Sequence, residues 1–417
     1  MEKLMHYVWA NRLFPQNNLT TVDGKRLQVI NPGIINNGAG PDFFNASVII
    51  DNQTWVGNVE IHLRASDWHR HKHTDDPAYQ TVILHVVEAD DQPIYRPNGE
   101  VIPQFVMKCR PDLNASFRAL ADFSVDTLPC SGAIKDIPSI YMTDWVTALG
   151  YERLHEKVER IESLVAANSG DWNEAAYITI ARALGFGTNS QPFERLARAT
   201  PLRIMRRHAD NPLIVEAILL GQAGLLDAAL RMEGYSPRLA TEYQFFAAKF
   251  GLLPPADMGW KFSRMRPQNF PIRRISYLGA LICSCRDFTS RLLGIERLAD
   301  AYDMLADVAR NGTGNHTGAL SKSSLDILCI NAVIPLAYAY ANYNGNYTRA
   351  REIAELLHEI KPESNRITTM FASAGINIPS AFVSQAMVQL RREYCEKRKC
   401  LYCRIGHRHL SACSLRM

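Results

Sequence analysis

Between residues 37 and 87 the chain concentrates side chains that bind divalent metals and move protons near neutral pH. Five of its 12 histidines fall there, His62, His69, His71, His73 and His85, alongside Asp42, Glu60, Asp67, Asp75 and Asp76. Imidazoles and carboxylates are the side chains that ligate borderline and hard cations and act as general acids and bases, so the crowding marks a candidate metal or acid/base site. The competing reading is a polar, solvated loop. Metal-assisted cleavage of a phosphodiester needs carboxylates to hold Mg²⁺ or Mn²⁺ and a further polar group to orient water. Asp42 and Glu60 fit the first need and His62 the second. A rival assignment takes the histidines as ligands: Glu60, His62, His71, His73 and His85 around Zn²⁺, Mn²⁺ or Fe²⁺, with His69, His71 and His73 alternating along an extended chain. His85, set in an apolar run, also reads as a core histidine with one hydrogen-bond partner.

A second cluster lies near the C-terminus, where Cys395-x4-Cys400-x2-Cys403-x3-His407 sits within YCEKRKCLYCRIGHRHL. Thiolates and an imidazole at these separations close a tetrahedron around Zn²⁺ at little chain-entropy cost, which predicts a zinc knuckle; His409 or Cys413 are substitute ligands. Free thiols and an iron–sulfur cluster are the alternatives.

The first cluster must be positioned by a sheet. Glu2 to Leu13 carries a helical apolar stripe, and Leu27 to Ile30 reads as a short strand ended by Asn31-Pro32-Gly33. The loop Asn36 to Pro41 delivers Asp42 to the mouth of a strand over Ala46 to Ile50, and Trp55 to Leu63 forms the next. Alternation on that strand points Glu60 and His62 the same way. Thr81 to Val87 is apolar enough for a strand covered on both faces, and a hairpin is predicted around Asn98-Gly99. From Ser139 onward apolar spacings of three and four predict helices, including separate ones over Tyr141 to Gly150 and Tyr151 to Asn168.

Pro41-Asp42 followed by Glu60-Ile61-His62, in the order helix, strand, Asp-bearing strand, Glu-bearing strand, connection, strand, resembles the PD-(D/E)XK nuclease superfamily. The resemblance implies metal ligation by Asp42, Glu60 and the Ile61 carbonyl, with His62 in the place of a lysine and DNA or RNA as substrate. Histidine there departs from the pattern, because lysine is a standing cation whereas histidine is charged only part of the time. The strings GPDFFNA, GNVEIH, DWHRHKH and VILHVV resemble an uncharacterised bacterial family of unknown function, which brings no activity with it.

The expected fold class is α+β. An N-terminal mixed-sheet PD-(D/E)XK-like domain (1–110) is followed by a linker (111–138), a helical domain (139–390) and a basic Cys/His tail (391–417). With 417 residues, 47% of them hydrophobic and 21% charged, each domain has material for its own core. Net charge is only +4, but residues 261–291 and 381–417 each carry +6 while 1–110 carries −2. Basic patches beside an acid-lined site suit a nucleic-acid partner, with Arg264, Arg266, Arg273 and Arg274 as contacts; pairing with neighbouring acids is the plainer reading. A non-catalytic nucleic-acid or protein interaction scaffold with a degenerate core stays open beside the hydrolase. No phosphate loop, dinucleotide fingerprint or serine nucleophile elbow is present. The opening residues do not read as a signal peptide and no uninterrupted apolar run suggests a membrane span, so a cytoplasmic location is expected.

Overall fold

The computed structural model describes all residues except 37, 110–112, 118–127, 256, 264, 266–268, 285–286, 312–319 and 416–417, with backbone alone at 309–311 and 411–415. Two compact units result. One comprises Met1–Trp145, Met370–Ile376 and Leu390–Met417, the other Val146–Thr369 and Asn377–Gln389.

The first unit is built on a mixed sheet. After helix α1 (Glu2–Ala10) come β1 (Leu19–Thr20), β2 (Arg26–Asn31), β3 (Ile34–Ile35), β4 (Phe43–Ile50) and β5 (Gln53–Arg64). A short helix α2 (Asp67–Arg70) then leads to β6 (Val82–Ala89) and β7 (Gln104–Val106). Strand order is β1-β2-β4-β5-β6-β7, with β3 on the end of β4. The pairs up to β4–β5 are antiparallel, and β5–β6 and β6–β7 are parallel. The mixed sheet therefore follows from a tight hairpin at Asp51-Asn52, both at positive φ, and from a crossover through α2 that is long enough to bring β6 back parallel. β6 is buried along its first six residues, as its continuous apolar run requires. Leu4, Trp9, Phe43, Val59, Ile61, Leu84 and Val86 form the core, onto which Leu410 of the C-terminal segment also packs.

The predicted hairpin after β6 is reduced to a single bridge, Tyr95 to Val101, and β7 instead joins β6 in parallel. Pro93, Pro97 and Pro103 lack the amide hydrogens that a longer ladder would use.

The second unit is helical. Ser139–Ala167 is one helix and not the two expected, since Gly150 stays inside it. A methyl group on Gly150 would lie 2.3 Å from the Phe382 ring, so the glycine serves close packing and not helix termination. Among the described residues one helical stretch, Lys322–Tyr343, is long and apolar enough to cross a membrane by length and composition, and 78% of its apolar window is buried inside the protein. Burial around Leu328, Ile330, Val333 and Leu336 accounts for its composition.

Candidate metal centre

The β4–β5 hairpin pairs Phe43 with Val59, which sets Asp42 beside Glu60. The Asp42 amide donates to Glu60 Oε2 at 3.0 Å, and the Ile61 amide donates to Asp42 Oδ2 at 2.9 Å. Each carboxylate is thus fixed by the other residue's strand. Alternation along β5 places His62 with Glu60, and both are almost fully buried, at 1% and 4% exposed. His85 arrives on the parallel neighbour β6 in register with Glu60 and shares a 2.9 Å hydrogen bond with His62, between His62 Nδ1 and His85 Nε2.

The crossover supplies the other imidazoles. An extended His69-x-His71-x-His73 was expected, whereas α2 and a 3-10 turn at His73–Asp75 curl the segment, with Lys72 at φ 63° between them. The curl turns His71 and His73 inward and sends His69 Nδ1 to the Thr74 hydroxyl, 3.3 Å away, so His69 does not join the cluster. His62 Nε2 lies 3.1 Å from His71 Nδ1 and 3.5 Å from Glu60 Oε1, and His73 Nε2 lies 3.3 Å from the same oxygen. The three histidines each offer a nitrogen within 4.8 Å of the others'. His73 Nε2 is buried and makes no hydrogen bond. Tyr79 stacks on the His73 ring at 3.8 Å and Trp68 meets its edge, holding the ring in place.

Electrostatics favour neutral imidazoles with lone pairs available. Burial first, then the neighbouring histidines, pushes the His62 pKa down to about 2. Burial takes His85 to about 3. Burial also raises the pKa of Glu60 despite the nearby His73. His6, on α1, is a member that the sequence reading missed: its Nε2 stands 3.2 Å from Asp42 Oδ2. Burial would lower its pKa, and the adjacent Asp42 carboxylate overrides this and leaves it raised. Only the helical periodicity of the opening residues hinted at His6, and periodicity does not say which strand a helix faces.

Beside His73 opens a cavity of about 240 Å³, lined by Trp68, Tyr79, Tyr95, Arg96 and Ile102 among others. His71, the exposed member of the trio, gives the centre its contact with solvent.

The proposed nucleic-acid contacts fare differently. Arg264 and Arg266 lie outside the described residues. Arg273 and Arg274 sit on the helix Pro271–Ser284, and Arg274 is only 5% exposed. Its guanidinium bonds to Asn269 and, at 3.5 Å, Ser324, and covers the Phe186 ring at 4.5 Å. Burial lowers its pKa to about 10. Arg274 is therefore a packing residue, its guanidinium stacked on an aromatic ring from outside the basic stretch.

At the C-terminus, Cys395, Cys400 and Cys403 come together, but His407 turns away: its Nδ1 is 2.7 Å from the Tyr7 hydroxyl of α1. The fourth side chain at the thiols is Cys130.

Fold and site define a mixed α/β domain carrying a histidine–carboxylate centre, continued by a helical domain. The chain belongs to the DUF2851 family, a protein family of unknown function, whose model matches residues 2–366. No curated protein and no solved structure matches it.

Proposed function

We propose that the protein is a metal-dependent hydrolase whose divalent ion is held by His62 Nε2, His71 Nδ1, His73 Nε2 and Glu60 Oε1. The observation that carries this reading is the approach of His62 to His71 at 3.1 Å and of Glu60 to His62 and His73 at 3.5 and 3.3 Å, with the three histidines' nitrogens within 4.8 Å of one another. Ligands about 2.0–2.1 Å from one tetrahedral ion stand roughly 3.4 Å apart, and a buried ring nitrogen with no hydrogen bond is what such an ion would satisfy. His85 then acts as the outer partner that orients His62. Three imidazoles make Mg²⁺ the poor fit and Zn²⁺, Mn²⁺ or Fe²⁺ the good ones, since Mg²⁺ prefers oxygen. An ion of this kind lowers the pKa of bound water and polarises an ester or phosphoryl oxygen. Asp42, next to Glu60, is the group to take the water's proton, and His6, 3.2 Å away, orients its carboxylate.

A second reading keeps Asp42, Glu60 and the Ile61 carbonyl as ligands of Mg²⁺ or Mn²⁺ in a PD-(D/E)XK-like nuclease acting on DNA or RNA. It is favoured by the sheet, where Asp42, directly before β4, and Glu60 on β5 are followed by a crossover and parallel β6. Ion binding separates the two. Titration with Mn²⁺ and Zn²⁺ should show His71→Ala and His73→Ala losing at least about tenfold in affinity while Asp42→Ala keeps the ion and loses turnover. Loss of the ion in Asp42→Ala with retention in His73→Ala would establish the nuclease arrangement instead, and absence of any divalent binding would leave an interaction scaffold. Cleavage of single- and double-stranded DNA and RNA by the loaded protein then tests the substrate class.

A further inference from the structure

We infer that Cys130, Cys395, Cys400 and Cys403 form a four-thiolate site for one zinc ion, which fastens the C-terminal segment to the sheet-bearing unit. These four residues, separated by up to 273 positions in the chain, line a single pocket of about 20 Å³. That volume suits a single ion. All four are free thiols, so no disulfide explains their approach.

The local chain is shaped to bring the sulfurs in. A π-helical turn, Leu390–Cys395, ends on the first of the three C-terminal thiols. Arg398 at φ 52° then reverses the chain toward Cys400. Gly406 lets the helix Arg404–Leu415 press against that turn: a methyl group there would lie 2.2 Å from the Cys400 carbonyl oxygen. The amides of Ile405 and Gly406 hydrogen-bond to the Cys403 sulfur. Cys130 comes from the other direction, immediately before the short helix Ser131–Ile134, which packs on Arg404–Leu415. His407, the ligand that spacing alone suggests, does not line this pocket, and its Nδ1 is held by the Tyr7 hydroxyl.

Four thiols facing one small pocket supply the donor set that a zinc ion takes. Zinc binding forms four Zn–S bonds and releases the four S–H protons to solvent, leaving a net charge of −2. Arg391 near Cys395 and Arg398 near Cys400 supply positive charge against it. The site is independent of the centre on β5.

Two measurements on the full-length protein decide it. Alkylation with mass-spectrometric mapping should find Cys130, Cys395, Cys400 and Cys403 protected together and all four modified after chelation, with Cys283 and Cys329 unchanged by the chelator. Replacement by Co²⁺ should give thiolate charge-transfer absorption that falls by about a quarter or vanishes in Cys130→Ser and persists in His407→Ala. Persistence in Cys130→Ser with loss in His407→Ala would overturn the assignment in favour of three cysteines and a histidine. Alkylation of Cys130 without chelator would exclude it as a ligand even if the serine variant fails to fold. Iron and sulfide in the purified protein would replace zinc by a cluster.

Discussion

His62 uses both of its ring nitrogens: Nδ1 meets His85, and Nε2 faces His71 and Glu60. One side chain therefore joins the buried strand β6 to the atoms on which an ion would sit. Removing the buried partner should loosen the ligand without touching the site itself. His85→Leu is expected to lower divalent-ion affinity by about 10–100-fold while leaving the folded protein intact, as measured by calorimetric titration beside far-UV circular dichroism. The same burial makes the metal-free protein acid-sensitive. His62 and His85 titrate near 2 and 3 when folded and near the ordinary 6.5 when unfolded, so acid protonates the unfolded chain first. Stability from these groups is complete above about 6.5 and drains away as the pH falls from there toward about 3. Each imidazole should weaken the folding equilibrium by roughly tenfold per pH unit across that window. Urea midpoints of the metal-free protein at pH 7 and pH 5 check the sign; equal midpoints would contradict it.

Strand β5 carries Glu60 and His62 and also the feature that sets their depth. A methyl group on Gly57 would stand 2.6 Å from the Thr81 carbonyl oxygen and 2.4 Å from the Ile83 side chain, at the point where the β5–β6 register shifts. Gly57→Ala should therefore cost about 1–3 kcal/mol and weaken ion binding in parallel, visible as a lower Tm and a higher Kd. This is also where the limits of sequence reading lie. The pairing of Asp42 with Glu60 was legible, because a hairpin of known length and a period of two suffice to align two residues on adjacent strands. So was the burial of Thr81 to Val87, which apolarity dictates. What joined across long separations was not: His6 reaches Asp42 through the docking of α1, and Cys130 reaches Cys403 through the return of the last segment. Arg274 shows the converse. Its neighbours in sequence looked like a basic surface, and only packing against Phe186 reveals where the guanidinium goes.

The whole chain is interrupted rather than tandem: the sheet-bearing unit opens at residue 1, gives way to the helical unit, and resumes near the end. Family similarity runs only to residue 366, yet Leu410, beyond it, is fully buried in the core of the first unit. A chain ending at Gln389 should accordingly lose that core contact and the Tyr7–His407 hydrogen bond. Removing a buried leucine alone is worth about 2–5 kcal/mol, so the truncated protein should melt at a lower temperature in its sheet-bearing part and be cut faster there by protease. Unchanged protection of residues 1–110 would argue that the C-terminal segment is dispensable.

Because Leu410 and His407 pack into the unit that holds α1, that unit cannot close until the chain has been synthesised past residue 410. Translation of the 265 residues from Cys130 to Cys395 takes roughly 10–50 s at ordinary elongation rates. For that time the sheet lacks the cover that Leu410 gives it in the folded unit.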